Sequence, residues 1–140
     1  MNIFDAAFVR LLDPNRIARL PNDPAARQSV TGGTVGDDVQ MRGGVSGWRH
    51  GRIHTQRTTF NHPNPLINLQ FRRVSLITSL LGMSGDSGSP VFVMRNGNID
   101  ALVGIFHGFV TFAGTERFGV VFRADEIRDI APGIEIRPRY

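Results

Sequence analysis

Short apolar stretches, alternating with polar positions only in places, recur along this chain, and glycine, proline and asparagine separate them. That is the pattern of strands joined by turns. Residues 4–12 read as a buried strand with Asp5 near its start, and the polar stretch 13–27, punctuated by Pro14, Pro21 and Pro24, reads as a surface connection. Residues 38–44 and 51–59 read as two strands joined by the glycine-rich turn 43–48. Residues 74–81 form a further apolar strand that runs into the loop 82–90. Residues 91–94 and 101–107 flank Asn96-Gly97-Asn98, and Asn-Gly between two apolar runs is a strong hairpin signal. A looser connection, 108–116, precedes a strand at 118–123. Residues 124–131 read as a short amphipathic helix, with Asp125 and Glu126 early, Arg128 later, Ile127 and Ile130 three apart, and Pro132-Gly133 ending it. The tally is about six strands and one terminal helix. The fold class is therefore all-β with a short C-terminal helix, in one domain spanning 1–140.

Composition narrows the class. At 140 residues, 41% apolar and 20% charged, the chain has the size and make-up of one ordinary domain able to bury one core. No apolar run approaches the roughly 20 residues of a membrane-spanning helix, so no membrane partner is expected. The N-terminus has no basic region followed by a long apolar stretch and does not read as a secretory signal. There are no cysteines, which excludes disulfides and thiolate metal sites and fits a reducing compartment, with the cytoplasm slightly favoured. All 16 basic residues are arginine, yet only Arg72-Arg73 are adjacent. A basic stripe with interleaved aromatics is missing, so no nucleic-acid partner is expected. The histidines lack metal-ligand spacing: His50 and His54 are four apart but fall on a strand, too far separated to chelate easily. No metal or cofactor is expected.

The loop Gly85-Asp86-Ser87-Gly88-Ser89-Pro90 carries the chemistry. Every residue in it is turn-prone, so a tight turn is the plain alternative. A serine hydroxyl is a weak nucleophile until a base takes its proton and donors receive the charge on the attacked carbonyl. Gly85 and Gly88 allow a sharp turn, so that the N–H groups of Gly85 and Ser87 converge as an oxyanion hole. Asp86 is placed to hold the loop in shape through a buried hydrogen bond or ion pair, and Pro90 begins the next strand.

These residues resemble the nucleophile segment G-D-S-G-G/S-P of the chymotrypsin-like serine proteases, a double β-barrel family, and especially of its bacterial and viral branches. Val103-Gly104-Ile105-Phe106-His107-Gly108 is similar to the family strand V-G-I-x-x-x-G, and Gly119-Val120-Val121-Phe122 to its G-V-Y/F strand before a C-terminal helix. The stretch from Arg42 through Gly51 resembles K-x-G-x-T-x-G-x-x-x-G. Asp5-Ala6-Ala7-Phe8-Val9-Arg10-Leu11 resembles the strand that the catalytic aspartate opens. Together these span nearly the whole chain, in family order. The resemblance implies a six-stranded antiparallel Greek-key barrel with a short C-terminal helix, the second barrel of the fold. It also implies Ser87 and Asp5 as catalytic residues and a polypeptide as substrate.

The resemblance further implies a histidine from a first barrel, upstream of the aspartate, and this sequence starts four residues before Asp5. The expectation is a second chain or segment that carries the N-terminal barrel and the histidine; a non-catalytic protease-like scaffold is the competing reading. His50, His54, His62 and His107 read as surface or structurally satisfied histidines. By resemblance the substrate pocket involves Leu81, Ser84, His107, Gly108 and Gly119. Leu81 stands where trypsin-like members carry an aspartate, which points to an apolar substrate side chain. In glutamyl endopeptidases a histidine one position from His107 helps bind an acidic side chain, and with Arg117 nearby an acidic preference is the alternative.

Overall fold

The protein is described by a computed structural model over residues 31–80, 82–112 and 116–130. The segment read as the Asp5 strand, and Leu81, lie outside the described residues. Six strands follow one another: β1 (Asp38–Gly43), β2 (Gly47–Asn61), β3 (Gln70–Thr78), β4 (Pro90–Arg95), β5 (Asn98–Thr111) and β6 (Arg117–Arg123), with a helix α1 (Ala124–Ile130) after them. They close into an antiparallel barrel in the order β1-β2-β3-β6-β5-β4, the ring completed by β1 against β4. Read around the ring, β4-β1-β2-β3 is a Greek key. Its return connection, from β3 to β4, is the serine-bearing loop, which leaves its strand pairing and connects strands that are not neighbours.

The alternating positions of β1 place Val39 and Met41 inside, where they join Ile53, Ile77, Leu80, Val91, Val93, Val103, Phe106 and Val121 as the barrel core. On the outer side of β3 and β6, a second cluster gathers Phe71, Val74, Leu76, Val110, Phe118, Val120 and Phe122. This two-sided burial is why residues 74–77 and 120–122 are buried without alternation, Ser75 included. A third cluster, Phe92 and Leu102 with Ala124, seats the helix on the outside of β4 and β5.

Element boundaries depart from the sequence reading where pairing decided them. β2 begins at Gly47, not Gly51, because Arg42 pairs with Trp48 and Gly43 with Gly47, so the turn shrinks to residues 44–46. β3 starts earlier, at Gln70, paired with Asn61. β5 runs on to Thr111 through the stretch read as loop, because Gly108–Thr111 pair with residues 117–120 of β6. The Asn96-Gly97 hairpin has φ values of 52° and 76° at its two central residues, the double left-handed geometry of a type I′ turn.

Candidate functional site

The β3–β4 connection is anchored at both ends. Leu80, fully buried, plugs into the barrel core at its start. At its end, the Gly88 N–H donates to the Phe106 carbonyl and the Phe106 N–H to the Ser89 carbonyl, each at 2.8 Å, which fastens the loop to β5. The middle is organised by Asp86. Its side chain is fully buried, and its carboxylate accepts three backbone N–H groups: Met83 at 2.7 Å, Val45 at 2.8 Å and Ser46 at 3.0 Å. The Asp86 N–H donates in turn to the Met83 carbonyl. Burial alone pushes this carboxyl up. The bonds from Met83, Ser46 and Val45 outweigh it and hold the group far below the ordinary carboxylate range, so it is an anion at any physiological pH.

Gly85 and Gly88 bracket this centre with φ of 97° and 91°, a left-handed backbone that glycine adopts without steric cost. The two reversals leave Ser87 exposed although its neighbour Asp86 is buried. No acceptor among the described residues takes the N–H of Gly85 or of Ser87. Val45 is packed so closely on Gly85 that a Cβ there would come within 2.7 Å of the valine Cγ2. The turn between β1 and β2 thus buttresses the serine loop through both hydrogen bonds and contact.

Beside Ser87 lies a cavity of about 340 Å³ lined by Gly82, Met83, Ser84, Gly85 and Ser87 on one side and Phe106, His107, Gly108 and Phe109 on the other. The structure therefore brings together Ser87, Gly85, Ser84, His107 and Gly108 from the sequence reading. Gly119 does not line the cavity. It lies buried in β6 opposite Ile77 and Phe109, where a Cβ would run into the Leu80 carbonyl. Asp5 and Leu81 fall outside the described residues.

His107 is the extra residue of a β-bulge, since Phe106 pairs with Val121 and Gly108 with Val120. Its ring meets Phe71 and Phe122 edge-on, with centroids 5.3 and 5.2 Å away. His54 stacks at a tilt on Phe118, His62 accepts from the Asn64 N–H, and His50 is hydrogen-bonded to Gln40. The partners of Asp86 were not visible in the sequence, because nothing local marks a backbone N–H 40 residues away as the acceptor's mate. The small residues of Gly43-Gly44-Val45-Ser46-Gly47 were the available hint: a Cβ on Gly43 would stand 2.5 Å from the Asp86 Oδ1.

This architecture is similar to solved bacterial serine proteases. A chymotrypsin from Cellulomonas bogoriensis matches with a TM-score of 0.60 and 20% identity, over 79% of this chain and 55% of that one. A glutamic-acid-specific serine protease, described as using a histidine triad in substrate binding, matches with a TM-score of 0.61 and 17% identity, over 80% of this chain and 55% of its own. Protease A of Thermobifida fusca matches with a TM-score of 0.58 and 16% identity, over 80% and 55%. The chain thus spans about half the length of these proteins. No family model and no curated protein sequence matches it. At this level of identity the likeness establishes the fold: the chain has the C-terminal barrel of the chymotrypsin-like fold.

Proposed function

We propose that this chain is the nucleophile-bearing half of a serine endopeptidase, with Ser87 attacking the peptide carbonyl. The observation that carries the reading is the state of the serine loop. A buried, fully bonded Asp86 anion fixes the backbone, while Ser87 stands exposed between two left-handed glycines beside a cavity. A loop fixed before substrate arrives does not have to reorganise when charge develops, and this preorganisation is the main source of catalytic electrostatic stabilisation.

In the proposed step the Ser87 Oγ forms a bond to the carbonyl carbon, and its proton passes to a histidine. The carbonyl oxygen becomes an oxyanion held by the N–H groups of Gly85 and Ser87. The C–N bond then breaks, the histidine returns the proton to the leaving amine, and water hydrolyses the acyl-enzyme. The histidine belongs to a segment or second chain that bears the N-terminal barrel, and Asp5 orients it. Support for that division comes from coverage, since the matching proteases extend well beyond the part that this chain resembles.

A fluorophosphonate probe tests the proposal. With the histidine-bearing half present, one equivalent is expected on Ser87, and none on the Ser87→Ala variant. Absence of labelling with that half bound overturns the reading in favour of a protease-like binding module, for which Ser87→Ala leaves the biological activity intact.

A further inference from the structure

We propose that Phe106 sets the depth of the cavity beside Ser87 and selects small and medium aliphatic side chains on the acyl side of the cleaved bond, against aromatic ones. The inference rests on the reading of Ser87 as nucleophile. A residue whose carbonyl is attacked by Ser87 must place its side chain in the adjoining space, and that space is the cavity between residues 82–85 and 106–109.

Two observations close its far end. The ring edge of Phe106 crosses from the β5 wall to the opposite wall: a Cβ on Gly82 would stand 2.5 Å from the Phe106 Cε1 and 2.8 Å from its Cζ. The same Cβ would lie 3.2 Å from the Asp86 Oδ2, so the buried carboxylate backs the Gly82 wall. Phe106 itself is only 2% exposed and belongs to the barrel core with Leu80, Val91, Val103 and Val121, which leaves its ring no free direction in which to swing aside. Among the described residues the outer side is open, since a Cβ on Gly108 meets none of them within 4 Å, and Met83 and Phe109 form an exposed apolar rim. The result is a shallow apolar trough.

Among the described residues, no carboxylate or guanidinium lines the trough. The Arg117 guanidinium lies over the ring of Phe109, 5.7 Å from its centroid. The imidazole of His107 is engaged edge-on with Phe71 and Phe122. An aliphatic side chain gains from desolvation in such a site, whereas a carboxylate loses its hydration.

The test uses isotope-labelled protein and the acids N-acetyl-Ala-Ala-X, with X = Ala, Leu, Phe, Trp or Glu, followed at the amide signals of Gly82, Gly85 and Gly108. The peptide ending in leucine is expected to bind at least about tenfold more tightly than those ending in phenylalanine or tryptophan. Phe106→Val is expected to raise affinity for the phenylalanine peptide about tenfold. Should that core change prevent folding, Gly108→Val, which enters open space, is expected to weaken every peptide. Aromatic peptides that bind as well as leucine overturn the inference, and so does tightest binding of the glutamate peptide. The fluorophosphonate, which carries no such side chain, separates the two readings. Labelling of Ser87 together with an aromatic preference overturns only the depth argument; neither labelling nor binding overturns both.

Discussion

Replacing Asp86 by asparagine changes one oxygen to an amide nitrogen in a site that has no slack. The carboxylate Oδ1 accepts from Val45 and Ser46 and the Oδ2 from Met83. An asparagine of the same shape keeps the first two bonds and sets an N–H₂ against the Met83 N–H, donor facing donor, where the native distance is 2.7 Å. One bond to a charged group is lost, at about 1.5–3 kcal/mol, and the stranded donors add about 1–3 kcal/mol. The flipped amide strands two donors in place of one and is worse. The expected destabilisation is about 3–5 kcal/mol, a large share of the roughly 5–15 kcal/mol that holds a domain of this kind together. The assay is urea unfolding of the wild type and Asp86→Asn, with the rate of fluorophosphonate labelling measured under folding conditions in the presence of the histidine-bearing half. Labelling should slow in the fraction that stays folded, because residues 83–88 lose their anchor. Acid adds a second readout. The folded-state pKa of Asp86 lies below the unfolded value of about 3.9. Its contribution is therefore complete above that value and is lost as pH falls through it towards the native pKa. The variant has no such carboxylate, so its stability should change less between about pH 5 and pH 2. A loss under about 1 kcal/mol, with unchanged labelling, would refute the anchoring argument.

The other expectations separate site from scaffold. Ser87→Ala should leave the melting temperature nearly unchanged, within about 0.5 kcal/mol, because the side chain is exposed, while abolishing labelling. Gly104→Ala should be among the most damaging single changes, since its Cβ would run into the Phe122 carbonyl of the neighbouring strand; soluble yield and thermal unfolding report it. Glu126→Gln should cost only about 1 kcal/mol in urea unfolding, although Glu126 is buried. Its partners Arg57 and Arg73, 3.4 and 3.2 Å from the same Oε1, are both 56% exposed and regain water when the ion pairs are lost.

Much of the local architecture was legible in the chain itself, because it depends on neighbours in sequence. The alternation of Val39, Met41 and Gly43 marked one strand, the Asn96-Gly97 pair marked a hairpin, and acids followed by a terminal Pro-Gly marked the helix after β6. The serine loop was legible for the same reason, since glycine, aspartate and serine in that order restrict the backbone locally. The ends of β2 and β5 were not, because pairing with a partner strand decided them against the local glycines.

Only the tertiary structure decided what surrounds the serine. It closed the ring between β1 and β4 and brought the turn at Val45 and Ser46 under Asp86, across 41 and 40 residues of chain. It placed Gly119 in the strand pairing beside Phe109 and against Leu80, not in the cavity wall, and set Phe106 between core and cavity. The physical reason is common to all four. The side-chain period and turn chemistry are properties of a few consecutive residues, whereas hydrogen-bond partners and cavity depth follow from which strands the closed barrel sets side by side.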